Sequence, residues 1–459
     1  MTPSNSLRLR CLTGSLAAFL VAAVMLAASL LGASPAQAVP AFATQTGQPC
    51  QACHVGGFGP QLTAYGRDFK LHGYTARTGG YSVPLSMMAV ESFVETQKAQ
   101  ASPPANGFRR NDNLGLDQVS IFLAGGIDNH FGGFIQSTYD GIGKTYSWDN
   151  VDLRAVTTAD IGAHNVLFGV SLNNSPTAQD VWNTLPGWGF PYTGSALAPS
   201  PAVAPLLAGG LAQNVIGLTG YAWIDGHIYV ELGGYKSTGA AILRRLGGDP
   251  YAPGDIDGFA PYARLALQQP TLGGTLEIGA FGLKADVFPA RDRSSGASDH
   301  FTDLGLDGAY ERTLGNGDVV TLNGRYTHED QTLTDTCALA GVSNGCADNS
   351  VDDVRVDASY YWRNRIGATV QLFETVGSSN PTIYAGYRTL KPDSSGVALQ
   401  LDATPWGAGS SPLGPRFNVR VGAQYTAYSR FNGAGRNWDG AGANASDNNT
   451  VRAFLWVAY

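Results

Sequence analysis

The chain has 459 residues, of which 59 are Gly, about 13 %, and only 14 % are charged; ordinary globular chains carry roughly 7 % Gly and about 25 % charge. With 44 % hydrophobic and 10 % aromatic residues it is too apolar for disorder, which needs low hydrophobicity and high net charge. After residue 32 no apolar run approaches the roughly 20 residues of a membrane helix, and the formal charge of -7 argues against a nucleic-acid partner.

The N-terminus carries the pattern of a secretory leader. Arg8 and Arg10 form a basic start, Leu16 to Leu31 an apolar core, and Ala36-Gln37-Ala38 a small-residue cleavage site. An uncleaved anchor is the alternative, which the small-residue site directly after the core disfavours. Residues 1–38 are therefore expected to be removed. Losing Arg8 and Arg10 makes the exported chain more acidic, which suits cations better than nucleic acid.

Cleavage also removes Cys11, leaving four of the five Cys. Cys50-Gln51-Ala52-Cys53-His54 is the attachment pattern of haem c: two thiols add across the two vinyl groups, and the adjacent imidazole ligates the iron. A structural zinc would need two further ligands, and no second Cys-x-x-Cys or His pair accompanies the motif. A thioredoxin-like centre would need a βαβ context, which is absent. Cys337 and Cys346, with eight residues between them in an Asp-, Asn- and Gly-rich stretch, are expected to form a loop disulfide in an oxidising compartment; closing so short a loop stabilises by roughly 2–3 kcal/mol.

From residue 83 onward the sequence alternates with period two. In 351–363, Val354, Val356, Ala358, Tyr360 and Trp362 oppose Asp353, Arg355, Asp357, Ser359 and Arg363. In 416–428, Phe417, Val419, Val421, Ala423, Tyr425 and Ala427 oppose Arg416, Asn418, Arg420, Gln424 and Tyr428. Such segments are strands with one apolar and one wet face. Sixteen are expected, near 83–96, 116–127, 131–140, 148–160, 165–174, 215–224, 227–236, 258–268, 272–283, 300–312, 318–330, 351–363, 366–377, 396–404, 416–428 and 449–459.

The gaps between them alternate short and long, the pattern of periplasmic turns and external loops in an outer-membrane barrel; a soluble sandwich gives no reason for that sorting. Two gaps fit less well: 141–147 is short for a loop and 405–415 long for a turn. The strand-like 382–390 is assigned to loop, because bacterial barrels have even strand numbers. The expected fold is an all-β, about sixteen-stranded transmembrane barrel over 83–459, its apolar face in outer-membrane lipid.

The segment 39–82 is too short for a domain of its own, and a sixteen-stranded barrel has an open lumen. A haem-bearing plug inside the barrel is therefore expected. The stretch Val39 to His54, followed by Pro60-Gln-Leu-Thr-Ala-Tyr-Gly-Arg-Asp-Phe-Lys-Leu-His-Gly-Tyr74, resembles the fused monohaem cytochrome–porins of bacterial outer membranes. Their best-known members are the iron oxidases of iron-oxidising bacteria. The close resemblance spans roughly 39–88 and is one of architecture beyond that. It implies one covalent haem c in or at the mouth of the barrel, taking electrons from extracellular Fe(II) and passing them to a periplasmic cytochrome c or cupredoxin.

His54 is the expected proximal ligand. Met87, Met88 and His72 are the distal candidates, and thioether ligation would raise the potential. Arg67 and Lys70 are candidates for the haem propionates, with lumenal carboxylates as the alternative. Phe58, Tyr65, Phe69 and Tyr74 are expected against porphyrin or wall. Asp255, Asp257, Asp348, Asp352 and Asp353 are carboxylates in or beside the loops that could attract a cation. No nucleophile or general-base motif occurs, so outer-sphere electron transfer is the leading expectation. A haem-plugged diffusion porin and an outward-directed electron conduit are the alternatives.

Overall fold

The structure is a computed structural model that describes residues 40–78, 84–342, 345–407, 411–413 and 417–459. The expected leader, 1–38, lies outside the described residues, as does the expected end of the plug at 79–82. Sixteen antiparallel strands follow: β1 Leu85–Thr96, β2 Asn113–Gly126, β3 Phe131–Asp140, β4 Thr145–Ile161, β5 His164–Asn173, β6 Val215–Ile224, β7 Ile228–Ser237 and β8 Ala260–Thr271. The second half comprises β9 Gly274–Pro289, β10 Asp299–Thr313, β11 Val319–Thr332, β12 Asp348–Trp362, β13 Ile366–Gly377, β14 Ser394–Ala403, β15 Asn418–Arg430 and β16 Thr450–Ala458. Each pairs with its neighbours in sequence, and β16 closes the ring on β1, with Met88 opposite Ala458 and Thr96 opposite Thr450. A seventeenth, three-residue strand, Gly254–Ile256, only extends the loop end of β9.

The side-chain alternation sorts as the dyad requires. In β12, Val354, Val356, Tyr360 and Trp362 are exposed on the outer wall, while Asp353, Asp357 and Ser359 are buried in the lumen. In β15, Arg420 and Gln424 face in and Tyr425 faces out. Leu232, Leu304, Leu306, Leu322, Leu372 and Leu401 are likewise exposed outward. Exposing such a belt to water would cost about 25 cal/mol per Å²; in hydrocarbon it costs nothing. Tyrosines mark its edges: Tyr310 donates to the Leu272 carbonyl at 3.0 Å in a turn, and Tyr326 to Asp352 at 2.6 Å near the loop end. A closed barrel with a lumenal polar face and an outer apolar belt is an integral outer-membrane protein.

Short turns at one end and long loops at the other orient the chain, turns to the periplasm and loops outward. Both misfitting gaps are real. Residues 141–144 make a tight turn at the loop end. In the second of them the described residues 404–407 pack against the plug: a Cβ on Gly57, whose φ is +66°, would lie 2.4 Å from the Cα of Gly407. Residues 382–390 contain no strand. Cys337 and Cys346 are bonded, Cα atoms 5.9 Å apart, in the loop between β11 and β12.

The loop 174–214 does not stay outside. It folds into the lumen and reaches across it. Leu206 and Leu207 donate their N–H groups to Glu329 and Asp303 on the far wall, at 2.6 and 2.7 Å. Gln371 donates to the Phe190 carbonyl and Arg452 to the Thr193 carbonyl, both at 2.8 Å. An external loop with Trp182, Leu185, Phe190, Leu197, Leu206, Leu207 and Leu211 buried must hide its apolar surface, and the lumen is where it does so.

Candidate functional site

Residues 40–78 form three short helices, α1 Pro40–Thr46, α2 Cys50–Cys53 and α3 Ala64–Leu71. Thr63 caps α3, its hydroxyl accepting from the Gly66 N–H at 3.2 Å. Its own N–H donates to the Cys53 carbonyl at 2.9 Å. His54 follows α2 directly and pairs with Leu62 in a β-bridge, so the turn at 55–61 brings the start of α3 back beside the Cys-x-x-Cys turn. A Cβ at Gly66 would lie 2.2 Å from the Cys53 carbonyl oxygen; only glycine lets α3 approach the Cys-x-x-Cys turn this closely.

The plug is moored in the turn half of the barrel. Asn364 accepts from the Gly56 N–H at 3.0 Å, and Asn418 donates to the Gly57 carbonyl at 3.0 Å and to the Cys50 sulfur at 2.8 Å. Tyr74 donates to Asp152 at 2.7 Å. The inward loop grips the other side: Asn183 accepts from the Leu62 N–H at 2.8 Å and donates to the Pro60 carbonyl at 3.0 Å.

Two adjoining cavities meet at His54. The smaller, about 140 Å³, is lined by Cys50, Cys53 and His54 with Phe69, Lys70 and Trp188 among its other walls. The larger, about 350 Å³, shares Phe42, His54, Pro60, Phe134 and Trp188 with the first and extends past Phe58, Met88 and Trp456. Both thiols and the imidazole thus open onto one mostly apolar space. His54 Nδ1 is buried and finds no hydrogen-bond partner among the described residues. Burial and the Arg420 guanidinium push the ring down to about 4, against the pull of the Gln61 carbonyl. A neutral imidazole is the form that ligates a metal. Two thiols, this imidazole and an apolar slot fit a covalent haem c.

The remaining candidates separate. On β1, Ser86, Met88 and Val90 turn inward, whereas Met87 is 45 % exposed on the outer wall. Both Met87 and Met88 border the larger cavity, but only Met88 turns its side chain inward, its sulfur accepting from Trp456 Nε1 at 3.3 Å. His72 lies outside both cavities; its Nδ1 sits 3.1 Å from Asp68, whose hydrogen bond raises the imidazole's pKa. Arg67 also stands outside the cavities, committed to Glu311 at 2.7 Å and to the Leu62 carbonyl at 2.9 Å. This is the carboxylate alternative rather than the propionate one. Lys70 does line the smaller cavity, but its Nζ donates to the carbonyls of Ala178 and Asp180, both at 2.7 Å, and lies over Trp188. Burial pushes it down to about 7.

Phe69 and Tyr74 line the smaller cavity, Phe58 packs edge-on to Trp456 at 5.0 Å, and Tyr65 is exposed rather than packed. The expected acidic residues do not gather. Asp255 pairs with Arg291 and Arg293, Asp348 is exposed, Asp352 faces outward against His328, and Asp353 is lumenal with Arg325 and Arg355. Sequence reasoning missed Asn183 and Trp188, because nothing marks 174–214 as lumenal except its density of Trp, Leu and Pro.

No protein-family model matches the chain, and no curated protein matches it. Among solved structures it is similar to OmpT, an outer membrane protein of Vibrio cholerae, at 9 % identity over 82 % of this chain and 96 % of that one, with a TM-score of 0.40. It is also similar to OprB of Pseudomonas putida, at 12 % identity over 82 % and 94 %, TM-score 0.44. A third is the outer membrane channel DcaP of Acinetobacter baumannii, at 9 % over 82 % and 96 %, TM-score 0.47.

Proposed function

We propose that this protein is a monohaem cytochrome built into an outer-membrane barrel, moving electrons from an extracellular donor, foremost Fe(II), to a periplasmic cytochrome c or cupredoxin. The observation that carries the reading is the placement of Cys50, Cys53 and His54 on one cavity inside the lumen. Cys50 and Cys53 would hold the haem as thioethers, His54 would ligate its iron, and Met88, inward-facing on the larger cavity, is the best-placed second ligand. The haem supplies a reversible one-electron centre. The chain's own residues moor it in the turn half, exclude bulk water with the plug and the inward loop, and bring it within reach of a periplasmic carrier. One such centre does not span about 30 Å of membrane, so the external donor has to come down the barrel.

A pyridine haemochrome spectrum on outer membranes, with and without Cys50→Ala, tests the cofactor: a c-type signal lost in the variant is expected, and none in the parent overturns the reading. Stopped-flow mixing with Fe(II) tests the donor: no reduction of the ferric protein excludes iron as substrate. The barrel by itself supports a second reading, a diffusion porin, which solute flux through liposomes would favour.

A further inference from the structure

The turn that follows His54 rests on a buried positive charge. Arg420, on β15, is 1 % exposed; its Nη2 donates to the Gly56 carbonyl at 3.3 Å, and its guanidinium carbon lies 5.7 Å from the centre of the Phe58 ring. The turn is shaped to admit it: a Cβ on Gly56 would lie 2.8 Å from Nη2, and one on Gly59 would lie 3.2 Å from Nη1. Mooring does not explain this charge. Asn364 and Asn418 already hold Gly56 and Gly57 through neutral amides, both at 3.0 Å, whereas the bond from Arg420 exceeds the usual range of about 2.7–3.2 Å. Taking a guanidinium out of water is expensive, so a neutral side chain would moor the turn as well at lower cost. The counter-charge comes from the neighbouring strand. Asp402, buried on β14, lies 3.3 Å from Nε, and its other oxygen accepts from Gln400 at 3.0 Å. Thr404 accepts from the same Nε at 3.2 Å. The cation thus meets the plug with its partner behind it, and its field reaches the His54 imidazole, whose pKa it helps to lower.

We infer that Arg420 and Asp402 set the redox potential of the haem, Arg420 raising it and Asp402 limiting the rise. Reduction by the external donor adds one electron to the ferric haem, and no bond or proton moves. A fixed cation beside the turn of the ligating histidine favours the form with the extra electron. Burial keeps salt and water from screening that charge. A raised potential suits a centre that takes electrons from Fe(II). The inference rests on the cytochrome reading above.

The test is an equilibrium redox titration of the full-length barrel in detergent, followed by haem absorbance. Arg420→Gln is expected to make reduction about tenfold less favourable, a fall of about 59 mV for one electron. Arg420→Lys, which keeps the charge, should stay near the parent, and Asp402→Asn should shift the potential upward. Loosened packing would move Arg420→Gln and Asp402→Asn the same way, because each removes one member of the same pair; the field moves them in opposite directions. Shifts of one sign, no shift in either, or a potential in Arg420→Lys as low as in Arg420→Gln overturns the inference. If Arg420→Gln retains no haem, the sign of the shift in Asp402→Asn decides. Absence of c-type haem from the parent protein defeats the reading on which the inference rests. A haem-loaded parent whose potential ignores both charges defeats the inference alone.

Discussion

The α-carbon of Gly66 stands so close to Cys53 that a methyl group on it would lie 2.2 Å from the Cys53 carbonyl oxygen. The capped helix α3 is thereby pressed against the turn that presents both thiols. Gly66→Ala should force the two apart. Overpacking of this kind costs about 1–3 kcal/mol, a small fraction of a sixteen-stranded barrel but a large one for a plug of three short helices. The expected outcome is a several-fold drop in the haemochrome signal per barrel with unchanged barrel migration in gels. Normal haem content in Gly66→Ala would show that α3 does not set the attachment geometry.

Met88 and Met87 are adjacent, yet they stand on opposite sides of the wall. If Met88 is the second ligand, Met88→Ala should alter the ferric spectrum and lower the midpoint potential, since thioether ligation raises it. Met87→Ala and His72→Ala should leave both unchanged. A spectral change confined to either of those two variants would reassign the ligand.

How much of this could be read from sequence follows from where polarity contrast exists. The dyad in 351–363 and 416–428 sets charge against hydrocarbon at every step, so strand, face and barrel follow directly. The stretch Ser86-Met87-Met88-Ala89 offers no such contrast. Its facing is fixed only by pairing with β16 and β2, which is tertiary information. The Cys50-Gln51-Ala52-Cys53-His54 pattern is local in sequence, so reading it needs no fold. Arg67 and Lys70 looked equivalent as cations beside a haem; Glu311 and the carbonyls of the inward loop, distant in sequence, separate them. The packing of 404–407 on the plug is visible only in the fold, where Gly407 stands against Gly57. The inward fold of 174–214 left a trace that composition could have caught: too many Trp and Leu for a loop in water.

Lys70 makes the mooring of the plug pH-dependent, and the sign can be worked out. Its pKa falls from about 10.4 in a free chain to about 7 in the folded protein, so between those values the undocked chain binds more protons. Docking therefore strengthens as pH rises from 7 to about 10 and is flat below 7; the shift corresponds to at most roughly 4–5 kcal/mol. Amide exchange at Leu62 and Arg67 should slow with rising pH beyond the intrinsic chemical effect. In Lys70→Met, which keeps the stem and removes the ammonium, that excess dependence should vanish. An equal dependence in the variant would show that another group is responsible.

Asn183 joins the inward loop to the plug through Leu62 and Pro60, and the loop itself crosses the lumen to Asp303 and Glu329. The two segments together are expected to leave the barrel a poor conductor of solutes. Planar-bilayer conductance of the intact protein should be well below that of the same barrel lacking residues 186–205, and the deletion should raise it several-fold. Asn183→Ala, which removes both bonds to the plug without shortening the loop, should give intermediate, flickering openings, because the loop keeps its anchors on β10 and β11 while losing its hold on the plug. This pair of variants separates the two functional readings. A porin would conduct freely with its loop intact and lose little when Asn183 is replaced. An electron-transfer barrel has to keep its lumen closed around the haem, so high conductance in the intact protein would count against the cytochrome reading and in favour of diffusion.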